Sequence, residues 1–226
     1  RTQGHWTRPA HASMFTGTHP GIHGYVGTGS ESIGQYGIHP DLVTIPELLT
    51  DSMYKCSGCV TKDKTGVEYG FGRGMHRFSY KPISWNNTDY DGSDIVNEVI
   101  RWTNRDYTGG SKRLFYFLHL FDPHFPYLPN VFPQLSTVDF DLLGEINSHR
   151  TFDDYLSELE DPPEISDEDV AQVKSYYDIS VRYVANELKR LIRHLMDIGL
   201  YSDSLLIITG DHGEDFLERE FIGHNS

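Results

Sequence analysis

The sequence predicts an α/β fold with a mostly parallel central sheet. Three observations lead there. Leu114-Phe115-Tyr116-Phe117-Leu118 and Ser204-Leu205-Leu206-Ile207-Ile208-Thr209 are continuous apolar runs, the pattern of strands buried on both faces. A long amphipathic helix pattern lies between them, and the order strand, helix, strand implies a parallel sheet. Both runs end in Asp/His clusters, and in such sheets ligands bind beyond the carboxyl ends of the strands.

The elements follow in order. Trp6 to Gly17 carries a hydroxyl, a proline and a short helix-forming run. Taken alone, Thr7 reads best as the N-cap of that helix. It can equally be a nucleophile facing an anion, since this end of a helix carries partial positive charge. Ile45–Leu49 reads as helical, and Lys55 to Thr61 as a short apolar run. Asp94 to Trp102 places Ile95, Val96, Val99 and Ile100 on one helical face. Leu114–Leu118 is the first buried strand. A loop rich in Pro, Asp and Asn runs roughly from Asp122 to Pro163, long enough to suggest a functional connection. Ser166 and Asp169 resemble a capping box. The helix that follows runs to about Ile198, with Val170, Val173, Tyr177, Val181, Val184, Leu188, Leu191 and Leu195 three or four apart, and Gly199 stops it. Ser204–Thr209 is the second buried strand, ending in Gly210-Asp211-His212-Gly213-Glu214.

Composition sets the limits. The chain has 226 residues, 38% hydrophobic and 13% aromatic, which fits one folded domain over residues 1–226. Its net charge of −14, with no basic patch, argues against nucleic acid as a partner. No apolar stretch reaches the length of about 18 residues that would span a membrane. No apolar signal region follows Arg1, so the expected location is cytoplasmic. Two cysteines exclude a disulfide scaffold. Twelve histidines in an acidic chain are the raw material of metal sites.

Four constellations could carry chemistry. In Gly210–Glu214 a carboxylate and an imidazole sit on a Gly-flanked turn that can aim both at one cation. In His119-Leu120-Phe121-Asp122-Pro123-His124-Phe125-Pro126-Tyr127 the two prolines hold Asp122 and Phe125 extended and so position His124. Thr7 supplies a hydroxyl, and Gly223-His224 a late histidine. Together they are the parts for metal-assisted hydrolysis of an ester with an anionic centre.

The combination resembles the sulfatase family of the alkaline phosphatase superfamily. Thr7-Arg8-Pro9-Ala10-His11 through Thr16-Gly17 matches the family's nucleophile-x-Pro-Ser-Arg motif with its Thr-Gly. His19-Pro20-Gly21-Ile22-His23-Gly24 matches the continuation. Asp122-Pro123-His124-Phe125-Pro126-Tyr127 matches the central Pro-His loop, and Asp211-His212-Gly213-Glu214 the late metal motif. The resemblance implies an alkaline phosphatase-like three-layer sandwich. It implies Thr7 as nucleophile and metal ligand, and Asp211 and His212 as metal ligands. His124 would bind the oxyanion or protonate the leaving group, and His224 would contact the anion. His11 stands where the family's Arg steadies the nucleophile. The family also begins with a strand of metal-binding aspartates before the nucleophile and continues beyond the late motif. A chain partial at both ends is therefore expected, with part of the metal shell outside it.

Two departures shape the chemistry. Thr cannot be converted to formylglycine as Cys or Ser is, so a direct Thr alkoxide is expected, as in relatives acting on phosphodiesters and phosphonates. Ala10 and His11 replace the motif's Ser and Arg. The expected activity is metal-dependent hydrolysis of sulfate esters or of phosphate or phosphonate (di)esters, on a small-molecule anionic substrate. The alternatives are a phosphotransferase using the same Thr intermediate and an inactive metal-binding member. The Asp/His set favours Zn²⁺ or Mn²⁺, with Ca²⁺ as a further option. Cys56-Ser57-Gly58-Cys59 reads as a structural pair of thiols. Asn86-Asn87-Thr88 reads as a chance sequon. Glu158–Asp161 and Asp167–Asp169 read as solvated acidic surface, and Arg73, Arg77 and Lys81 as surface charge.

Overall fold

The computed structural model describes residues 2–25, 37–60, 65–80, 91–108, 113–124, 127, 166–218 and 222–224. Lys81, the sequon at 86–88 and the acidic run at 158–161 lie outside them.

Three strands form the central sheet: β1 (Lys55–Val60), β2 (Arg77–Tyr80) and β3 (Leu114–His119). Their order is β2-β1-β3 and both pairings are parallel. In register, Ser57 faces Arg77 on one side and Tyr116 on the other, and Gly58 faces Phe78 and Phe117. Side chains alternate between the faces of a strand, so adjacent rows of this register feed two cores. Cys59, Tyr116 and Leu118 pack with Ile95, Val96, Val99, Trp102 and Leu191. Phe78 and Phe117 pack with Ala12, Phe15, Tyr25, Ile38 and Phe71 on the opposite face. Helices therefore cover both faces, and the sheet is the middle of three layers.

The helices are α1 (Thr7–Thr16), α2 (Pro20–His23), α3 (Ile45–Asp51), α4 (Gly92–Thr108) and α5 (Asp167–Asp197). Gly17 ends α1 in the left-handed region at φ 66°, which glycine adopts without steric penalty. Thr44 caps α3 in a full capping box with Glu47. Ser166 and Asp169 do the same for α5, as their spacing predicts. A two-stranded antiparallel hairpin, β4 (Asp215–Phe216) with β5 (Ile222–Gly223), closes the described chain.

Four expectations need correcting. Ser204–Thr209 is not a buried strand in this structure. It pairs with no described strand, and Leu205 and Ile207 are 87% and 75% exposed. An apolar run states a demand for burial, but a strand exists only where a neighbour accepts its backbone hydrogen bonds. Thr7 is not the N-cap: Trp6 holds that position in extended backbone, with no side-chain capping bond, and Thr7 is the first helical residue. Arg77 is not ordinary surface charge, because it pairs with the buried Asp106 of α4. Arg73 is structural as well, binding Glu47 and the carbonyl groups of His39, Pro40 and Leu42.

Cys56 and Cys59 are both buried on β1. Three residues apart on a strand, they point to opposite faces. A shared zinc or a disulfide between them is therefore ruled out by geometry.

Candidate active site

The nucleophile segment sits at the start of α1. Thr7 is 5% exposed, and its Oγ1 lies 3.5 Å from His212 Nε2. His212 Nε2 in turn lies 3.4 Å from Asp211 Oδ2. The His212 ring is fixed from its other side, where Nδ1–H donates to the Gly213 carbonyl at 2.9 Å. A carbonyl only accepts, so the neutral ring carries its lone pair on Nε2, facing Thr7 and Asp211.

These separations test whether a cation fits. Two ligands bound tetrahedrally to Zn²⁺ at its usual bond lengths lie about 3.3 Å apart. Thr7–His212 and His212–Asp211, at 3.5 and 3.4 Å, match that edge. Both are long for hydrogen bonds and right for neighbouring ligands. Thr7, Asp211 and His212 therefore fit the group that the family motif implies. Asp211 stays a carboxylate: burial alone would raise its pKa, but His11, His212 and His119 outweigh that and lower it.

His11 stands one turn after Thr7 on the same helix. Its Nδ1 donates to the Thr7 carbonyl at 2.8 Å and lies 3.5 Å from Asp211 Oδ2. Phe71 and Phe117 meet its ring edge-on, and burial lowers its pKa, which favours the neutral ring.

The remaining two sequence candidates come together on the other side of His212. The β4–β5 hairpin pairs Asp215 with Gly223, which sets residue 224 across from residue 214. Accordingly, His224 Nδ1 donates to Glu214 Oε2 at 2.9 Å. The His224 ring lies 4.0 Å from that of His212 and 4.8 Å from that of His124. His124 stacks on Phe121 at 4.0 Å. Thr7, His11, His124, Asp211, His212 and His224 thus form one connected cluster.

Two participants stood inside the sequence constellations without an assigned role. His119, at the end of β3, has its ring 4.5 Å from that of His11. Its signal was a polar residue closing an otherwise apolar run. Glu214 orients His224 and also accepts from the Tyr127 hydroxyl at 2.7 Å. It stood in the Gly-flanked turn, but no sequence spacing relates it to His224.

The same loop stores a titratable strain. Asp122 Oδ1 accepts from the Gly92 amide at 2.9 Å, while Oδ2 is buried with no hydrogen-bond partner among the described residues. Burial pushes the carboxyl up to about 6 from its ordinary 3.8, helped by Asp91 and Glu187. In the window between those values the folded chain holds a proton that the unfolded chain has released. Stability from this group is therefore full below 3.8 and falls as pH rises to about 6. The loss is of order 3 kcal/mol. Asp122→Asn keeps the acceptor for Gly92 and removes the charge. It is expected to raise the thermal midpoint at pH 7.5 relative to the parent, and the gain should vanish at pH 4. Paired calorimetric scans at the two pH values check this.

Among the described residues no helix is long and apolar enough to cross a membrane. No curated protein sequence matches the chain. Solved structures do. Phosphonate monoester hydrolase of Agrobacterium radiobacter shares 16% identity at a TM-score of 0.66, over 98% of this chain and 56% of that one. The lipoteichoic acid synthase LtaP of Listeria monocytogenes shares 18% at 0.58, over 90% and 43%. A 4S-sulfatase structure from Bacteroides thetaiotaomicron glycosaminoglycan metabolism shares 13% at 0.60, over 88% and 47%. The chain thus spans about half the length of these structures, and they share its α/β architecture. The sulfatase family model matches residues 1–226, so the chain belongs to the sulfatase family, with the fold of the alkaline phosphatase superfamily.

Proposed function

We propose that this chain is the nucleophile-bearing part of a divalent-metal-dependent ester hydrolase, acting on phosphate or phosphonate (di)esters, or on sulfate esters, through Thr7. The observation that carries the reading is the placement of the Thr7 hydroxyl 3.5 Å from His212 Nε2, itself 3.4 Å from Asp211. Thr7, Asp211 and His212 would hold the cation. When bound, the cation supplies a lowered pKa at the Thr7 hydroxyl and neutralises anionic oxygens of the ester. The mixed nitrogen and oxygen set favours Zn²⁺ or Mn²⁺ over Ca²⁺.

Each residue then has a task. Thr7 gives up its proton to water and its oxygen attacks phosphorus or sulfur, forming a bond as the ester's leaving oxygen departs. His224, oriented by Glu214, and His124 beside it face the side from which the leaving oxygen takes a proton. Water then cleaves the Thr7 ester, releasing the acid and restoring the hydroxyl. The uncapped start of α1 adds partial positive charge near the developing anion.

Thr at the nucleophile position favours the phosphorus esters, because formylglycine cannot form there. A panel of aryl phosphate monoester, phosphodiester, phosphonate and sulfate, each with Mn²⁺, Zn²⁺ or Ca²⁺, tests the reading. Turnover of a phosphodiester or phosphonate with Mn²⁺ or Zn²⁺ is expected. Sulfate turnover alone would overturn the preference, and metal binding without any turnover would favour an inactive member. Added alcohol that captures the phosphoryl group in place of water would identify a transferase.

A further inference from the structure

The cation proposed above uses Thr7, Asp211 and His212. It leaves His11 and His119 without a task, although both adjoin Asp211. The ligand atoms of His11, His119 and Asp211 all lie within 4.8 Å of one another. Each comes from a different element: His11 from α1, His119 from the end of β3, and Asp211 from the turn after 204–210. Asp211 Oδ2 lies between the two histidines, 3.5 Å from His11 Nδ1 and 3.4 Å from His212 Nε2. The Thr7 carbonyl takes the Nδ1 proton, so His11 would coordinate through Nε2.

The surroundings favour a bound ion over three unrelated side chains. The Thr7 carbonyl holds His11, and the Thr65 hydroxyl lies 3.5 Å from His119 Nδ1. Phe71 and Phe117 wall His11, and Phe121 meets the His119 ring edge-on. Ligands fixed by neighbours and set against an apolar wall are what tune a metal centre. A guanidinium at position 11 would repel a cation, whereas an imidazole can coordinate one.

We propose that His11, His119 and Asp211 form a second divalent-cation site, with Asp211 shared between it and the site of Thr7 and His212. The inference rests on the metal-dependent reading of that first site. Two nitrogens and one oxygen suit Zn²⁺. Two cations sharing Asp211 would put more positive charge beside the Thr7 oxygen and the anionic centre it attacks.

The test counts ions and needs no substrate. The chelator-stripped chain is titrated with Zn²⁺ and bound metal is counted by mass spectrometry after gel filtration. Two equivalents are expected for the parent, and one for His119→Gln. One equivalent in the parent, or an equal number in parent and variant, overturns the proposal and leaves the first site standing. No bound ion in the parent overturns both. Should His119→Gln fail to fold, the Mn²⁺-loaded parent decides by electron paramagnetic resonance. An exchange-coupled pair supports the shared carboxylate, and an isolated six-line spectrum overturns it.

Discussion

Thr7→Ala is expected to lower turnover at least about 10³-fold while leaving the fold intact. Nucleophile deletions cost this much or more because no other group can form the covalent ester. Thr7 is the first residue of α1 and gives no capping bond, so its hydroxyl does little for the helix. Alanine is tolerated there, and far-ultraviolet dichroism and the thermal midpoint should be nearly unchanged. Thr7→Ser keeps the oxygen and should retain most of the activity. Rapid acid quench with a radiolabelled phosphodiester should trap label on the parent and on Thr7→Ser, and none on Thr7→Ala. Alanine turnover within tenfold of the parent would show that the hydroxyl is not the nucleophile.

The second large effect lies at the other end of the sheet. Asp106 of α4 is 2% exposed. It accepts from Lys55 of β1 at 2.7 Å and from Tyr116 of β3 at 2.9 Å, and it pairs with Arg77 of β2. One carboxylate thus ties all three strands to one helix. Its removal would leave a partly buried Arg77, whose Nε and Nη1 already lack a hydrogen-bond partner among the described residues, without its counter-charge. Breaking such a pair costs about 3–5 kcal/mol. Asp106→Ala should lower the urea midpoint accordingly. Burial would raise this carboxyl's pKa, but bonds from Lys55, Tyr116 and Arg77 prevail and hold it below 3.8. Its contribution is thus present above pH 3.8 and is lost as pH falls through the lowered folded value. Parent and Asp106→Asn stabilities should converge as the solution is acidified.

The sequence is most legible where structure depends on neighbours along the chain. Ser166 and Asp169 are three apart, and their capping box is present. The stop at Gly17 is equally local. Leu114–Leu118 was readable as a strand from its unbroken apolar run, and β3 is that strand, although its side chains are half-buried and not fully buried on both faces. Ser204–Thr209 has the same signature and lacks a partner among the described residues, because pairing is a property of two segments. The site divides in the same way. Thr7, Asp211 and His212 stood in motifs whose spacing carries their chemistry. Glu214 and His119 acquire meaning only through a hairpin register and a ring contact across 108 residues of chain, which no single segment encodes.

Cys56 and Cys59 place one buried thiol on each face of the sheet. Neither can be oxidised against the other, and each meets solvent only when its own side of the sheet opens. Alkylation rates at the two sulfurs therefore report two different opening events in one molecule. The Cys59 rate follows release of α4 from the sheet, and the Cys56 rate follows release of α3, whose Pro46 carbonyl lies 3.5 Å from its Sγ. The chain carries its own pair of labels for asking whether the layer that bears the nucleophile loosens before the layer that fixes strand register.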